Sequence, residues 1–88
     1  MSTEPQVGKR SKLGELRKGA SGQIVAVASE EGANYTQLLE MGLLEGARIE
    51  VVHEAPFGGD PIAVRVRGAL IALRRNEANH ITVELSSR

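Results

Sequence analysis

Residues 38–62 read LLEMGLLEGARIEVVHEAPFGGDPI, and a change of period inside this stretch decides the fold. Tyr35, Leu38 and Leu39 recur at helical spacing until Gly42 breaks the pattern, and Asn34 followed by Gln37 three positions later forms a capping box. Past Gly46 the period becomes two. Ile49, Val51 and His53 are expected on one face of a strand, and Arg48, Glu50 and Val52 on the other. Ala55-Pro56 ends that strand. Pro56 and Pro61 then shoulder a wide loop in which Gly58 and Gly59 supply positive φ, while Phe57 either projects toward a partner or plugs one end of the fold. A helix of about two turns does not persist alone in water, so its leucines must pack on a sheet.

Working outward, the same alternation recurs. Upstream, residues 1–12 are polar and hold Pro5 and Gly8, which predicts a mobile N-terminal tail. Leu13 and Leu16 anchor a short turn, and Gly19 to Gly22 bend the chain into the apolar run Ile24-Val25-Ala26-Val27-Ala28, a first strand. Downstream, Ile62, Val64 and Val66 alternate with Ala63, Arg65 and Arg67, and Gly68 permits a reversal into Leu70-Ile71-Ala72-Leu73. Asn76 to Asn79 predicts one helical turn, and Ile81, Val83 and Leu85 share one face of a last strand before the polar tail 86–88. About five short strands with tight connections, one short helix and a helical turn describe a mainly β chain, a small antiparallel SH3-like barrel over 13–85. Periodicity alone does not separate it from an oligonucleotide-binding-type barrel.

Size and composition narrow the function. A chain of 88 residues makes one small domain without room for a deep substrate cavity. With one Tyr, one Phe and no Trp, the core must be Val, Ile, Leu and Ala, and stacking platforms for nucleic acid are absent. Eleven basic and eleven acidic side chains cancel, which removes the attraction that nonspecific binding to nucleic acid or anionic lipid needs. The charges nevertheless segregate, with cations at both ends of the chain and six glutamates from Glu30 to Glu54, a surface that a charge-matched protein could read. No cysteine is present, so disulfides and thiolate chemistry are excluded. The N-terminal residues lack the apolar run of a signal peptide and no segment is long enough to cross a bilayer, so a cytoplasmic location is expected.

Few residues suit catalysis. His53 and His80 stand in or beside strands with no positioned partner, and the serines lie in turns or a tail, so the chain is not expected to be an enzyme. The loop around Gly58 and Gly59 leads into a strand and carries Asp60, unlike a phosphate-binding loop. For a divalent metal, His53 and His80 are the imidazoles on offer, with Glu54 and Asp60 near the first. Their spacing matches no ligand motif, and solvated strand histidines are the other reading. No resident cofactor is expected. Met41, Leu43 and Leu44 exceed what one turn needs for its cap contact, so they divide between core and a partner-facing surface.

Three separated motifs carry a resemblance: Met41-Gly42-Leu43-Leu44-Glu45-Gly46, Ala55-Pro56-Phe57-Gly58-Gly59-Asp60-Pro61-Ile62 and Leu73-Arg74-Arg75-Asn76-Glu77-Ala78. In this order they resemble the ferrous iron transport protein A (FeoA) family. Glu45 stands where that family commonly has proline, and Thr36 and Gln37 occupy the region of its frequent arginine. The resemblance implies an SH3-like domain and an accessory role in ferrous iron uptake through contact with the membrane transporter FeoB, near its GTP-binding domain. It suggests Met41, Leu43, Leu44 and Phe57 as apolar anchors, with Arg74 and Arg75 beside them and an arginine-finger role as the boldest version. The alternative is a free-standing regulatory or metal-sensing barrel, akin to the domain fused to iron-dependent repressors. An open sheet edge would also permit self-association.

Overall fold

The structure is a computed structural model and describes residues 8–28 and 35–86. Six strands, β1 (Arg10–Lys12), β2 (Ser21–Val27), β3 (Arg48–Glu54), β4 (Ile62–Val66), β5 (Ala69–Leu73) and β6 (Ile81–Leu85), form one antiparallel sheet ordered β1-β6-β2-β3-β4-β5. Two short helices, α1 (Tyr35–Glu40) and α2 (Arg75–Ala78), and a 3-10 turn at Leu13–Glu15 complete it. This is the expected small antiparallel barrel with one strand added. The addition, β1, lies within the segment expected to be a mobile tail. Arg10, Ser11 and Lys12 pair with Glu84, Val83 and Thr82, and Leu85 bonds the Gly8 N–H and the Lys9 carbonyl. A polar edge strand, held by its backbone and by the ion pair of Arg10 Nε with Glu84 Oε1 at 3.4 Å, leaves no apolar alternation to read. Residues 1–7 and the predicted cap at Asn34 lie outside the described residues.

The core is aliphatic, as composition required. Leu13, Ile24, Leu38, Leu43, Ile49, Val51, Ile62, Val64, Val66, Leu73, Ile81 and Val83 are buried, each on the inward side of its element. Alternation along β4 is regular: Ile62, Val64 and Val66 point inward while Arg65 is exposed. Arg67 and Gly68 both have positive φ, 52° and 81°, the signature of a two-residue type I′ hairpin joining β4 to β5. The helix α1 ends as its sequence predicts. Gly42 at φ 92° lets its own N–H reach the Leu39 carbonyl at 2.9 Å and the Leu43 N–H reach the Leu38 carbonyl at 3.1 Å, a Schellman motif. Leu38 and Leu43 supply its accompanying apolar contact inside the core.

One expectation about β3 fails. The β3–β4 register shifts between Val51 and His53, so Val52 is an extra residue and the alternation slips by one. Ile49 and Val51 stay inward, but His53 is exposed, and Glu54 turns to the inner side opposite the buried Ile62. An extra residue rotates every side chain after it to the other face, and nothing in a run of β-branched residues marks where it will occur.

Candidate functional site

The slip that re-aims Glu54 builds a knot of charge at one end of the sheet. Glu54 accepts the Lys18 backbone N–H at 2.7 Å and pairs with the Nε of Arg17 at 3.3 Å and with Nη2 of Arg75 at 3.2 Å. Arg75, the first residue of α2, spends the rest of its fork on backbone oxygens. Its Nε donates to Gly59 at 2.8 Å, and its Nη1 donates to Gly14 at 3.0 Å and to Leu16 at 2.8 Å. Its own N–H is taken by Asp60 Oδ1 at 3.0 Å. A single guanidinium thereby ties the 3-10 turn, the end of β3, the 55–61 loop and α2 together, a task suited to its planar, fixed donors. Gly59 must be glycine here, since a Cβ would stand 2.9 Å from Glu54 Oε1 in a backbone with φ 71°.

The Lys18 N–H, followed by the charges of Arg17 and Arg75, holds the Glu54 carboxyl below the usual carboxylate range, against an opposing contribution from burial. A lowered carboxyl contributes stability that is complete above the pKa of the free side chain and disappears as pH falls through the folded value. Urea denaturation from pH 7 down to pH 3 should therefore show wild-type stability falling below the ordinary glutamate range more steeply than that of Glu54→Gln. Parallel curves would show that Glu54 titrates alike in the folded and unfolded chain.

This knot explains residues whose sequence reading was functional. Arg75 is bound on all sides and is a structural tie, so it is not available as a finger toward a nucleotide. Leu43 is fully buried and Met41 is half-buried against the core, so Leu43 leaves the partner-facing set. Leu73 and Ala78 are core, and the Glu77 side chain accepts the Arg74 N–H at 3.0 Å to start α2. Arg74 remains exposed.

Among the described residues Phe57, at 92%, is the most exposed of the large apolar side chains, with Leu70 at 65% and Leu44 at 37%. Its loop is closed by the Ala55 N–H on the Pro61 carbonyl at 3.1 Å and held at Gly59 and Asp60 by Arg75. The predicted apolar surface is not one patch. The Leu44 turn precedes β3 and the Phe57 loop follows it, so the seven residues of β3 separate them by about 20 Å. Pairing of Ile62 with Leu73 puts Arg74 at the Phe57 end, whereas pairing of Val66 with Ala69 puts Leu70 at the Leu44 end. No linear pattern marks the inward knot at Glu54, which in the sequence is one of six central glutamates and an acid near His53.

The two histidines do not share a site. His53 is exposed on β3 and His80 is half-buried in the turn before β6, with β2 lying between those strands in the sheet. Among the described residues no three His, Asp or Glu side chains are grouped to hold an ion. No helix among them is long and apolar enough to cross a membrane.

Comparison with known proteins follows the same lines. The FeoA domain family matches residues 11–85. An "Fe(2+) transport protein A/Fe(2+) transporter FeoB fusion protein" of Porphyromonas gingivalis (strain ATCC BAA-308 / W83) is 40% identical over 76 residues, which are 86% of this chain and 9% of that protein. The chain thus spans less than a tenth of that relative's length. The solution structure of FeoA protein from Chlorobium tepidum is 43% identical with a TM-score of 0.74, covering 85% of this chain and 70% of that one. The crystal structure of Stenotrophomonas maltophilia FeoA complexed with zinc, described as a prokaryotic SH3 domain protein, is 31% identical with a TM-score of 0.69, covering 81% and 86%. A domain match over nearly the whole folded region, with these structures alike in sequence and in shape, makes this chain a member of the FeoA family, with its SH3-like fold.

Proposed function

We propose that this protein is a nonenzymatic accessory of ferrous iron uptake that acts on the cytoplasmic side by docking on the FeoB transporter, at its GTP-binding domain. The observation that carries the reading is Phe57, an aromatic side chain exposed at the tip of a loop held at its base by Arg75. An aromatic anchor on a preorganised loop gains buried area on docking while losing little conformational freedom. Arg74, exposed at the same end of the sheet, supplies the charged rim. The fusion of FeoA and FeoB in the Porphyromonas gingivalis relative supports the choice of partner, since covalent linkage raises the effective concentration of two modules that meet.

Phe57→Ser is expected to weaken binding of the isolated FeoB GTP-binding domain by at least about tenfold, with unchanged circular dichroism and unfolding midpoint. Calorimetry of both variants against that domain, with and without guanine nucleotide, makes the measurement. Equal affinity would remove Phe57 from the interface, and no binding of the wild type in any nucleotide state would remove the GTP-binding domain from the proposal.

A further inference from the structure

We infer that the outer edge of β5 takes an extended, acidic-ended segment of another protein as a seventh strand, a site that shares Arg74 with the rim of the Phe57 surface but does not depend on Phe57. The sheet order leaves two edges, β1 and β5. They are guarded differently. β1 is three residues long and carries Arg10 and Lys12, the short charged strand that discourages further pairing. β5 is Ala69-Leu70-Ile71-Ala72-Leu73, five residues without a charge, in which Ala69, Leu70 and Ala72 are exposed.

The hairpin geometry says which backbone groups are free. In a two-residue type I′ hairpin the flanking residues Val66 and Ala69 form a hydrogen-bonded pair, so the alternation makes Val64 with Ile71 and Ile62 with Leu73 the next such pairs. Leu70 and Ala72 therefore direct their N–H and C=O groups away from β4. Each is a donor and acceptor set at the spacing an antiparallel or parallel strand would match, and Leu70 presents its apolar side chain beside them.

Charge selects the occupant. Residues 62–76 contain Arg65, Arg67, Arg74 and Arg75 and no acid. Arg65 is paired with Glu50 and Arg75 with Glu54, but Arg67 and Arg74, which bracket β5 in sequence, have no ion-pair partner among the described residues. The acids near the Arg74 end are already engaged: Asp60 and Glu77 accept the backbone N–H groups of Arg75 and Arg74, and Glu54 is held by Arg75, Arg17 and the Lys18 N–H. A second copy of this chain, paired antiparallel about Ile71, would bring Arg67 toward Arg74 and Arg75 of its mate, like charge on like. A strand that is apolar in the middle and acidic at both ends satisfies the backbone groups, Leu70 and both arginines together.

The test uses the full chain and synthetic peptides of about nine residues, long enough to span β5 and its flanks. One has a Val-Thr-Val-Thr-Val centre with Asp and Glu at both ends; the other has lysines at the ends. Amide hydrogen exchange followed by NMR should show Leu70 and Ala72 protected about tenfold or more by the acidic peptide at low salt, with the lysine peptide inert. Ala72→Pro, which removes an outward N–H and leaves the pairing with β4, should abolish the protection. Arg67→Glu combined with Arg74→Glu should transfer the preference to the lysine peptide, and this keeps the test decisive if the proline variant fails to fold. Absence of protection at millimolar acidic peptide, or equal protection by both peptides, overturns the proposal. So does protection that rises with protein concentration alone, which would make a second copy the occupant.

Discussion

Arg75→Ala should destabilise the fold by about 3 kcal/mol, because one side chain carries the bonds that join four segments. Three backbone oxygens, on Gly14, Leu16 and Gly59, lose a charged donor, and Glu54 loses its most shielded partner. For a domain of this size the loss should appear as a melting temperature lower by more than about 10 °C. Arg75→Lys should recover little of it, since a single ammonium cannot span donors that point to Gly59 on one side and to Gly14 and Leu16 on the other. Arg74→Ala, one residue away and exposed, should change stability by less than about 0.5 kcal/mol. Urea denaturation of the three variants makes the comparison. Equal effects at Arg74 and Arg75 would show that the knot contributes nothing beyond surface charge. The variant also bears on function, because loosening Gly59 frees the loop that presents Phe57 and raises the entropy lost when it docks.

The second large effect is expected at Leu43. Leu43→Ala should cost about 2–4 kcal/mol through the cavity it leaves beside Leu38, and Leu43→Asp should leave the chain unfolded by burying an unpaired charge. Leu44→Asp, at the adjacent and partly exposed position, should fold with a loss below about 1 kcal/mol. Circular dichroism and urea midpoints for the three separate core from surface within one dipeptide. A folded Leu43→Asp protein would place that side chain outside the core.

The Leu43-Leu44 pair shows where sequence reading runs out. Its composition announced excess apolar surface around Gly42, and the Gly itself announced the helix end, because positive φ is a local property with a local signature. Which leucine faces inward follows from the Schellman geometry, which swings Leu43 back over Leu38, and that depends on the orientation of the whole turn against the sheet. Phe57 is a similar case. Two prolines and two glycines predicted a shaped loop, but the direction of its tip is set by Arg75, a residue 18 positions later. In the sequence Arg75 reads as a charge beside apolar anchors or as a finger, and Glu54 as an acid near a histidine, since no linear pattern records that a bulge at Val52 brings them together. β1 escaped for the opposite reason, its pairing being made by backbone groups that every residue carries and by one exposed ion pair, Arg10 with Glu84, that no apolar pattern marks.

What the sequence determined alone were the features written in local periods and backbone preferences: the strands β2 to β6, the glycine-closed helix, the aliphatic core and the family. Only the tertiary structure decided which polar residues are structural and which face solvent. That division depends on distances between segments far apart in the chain, and a pairing shift of one residue is enough to send a histidine outward and a glutamate onto an arginine.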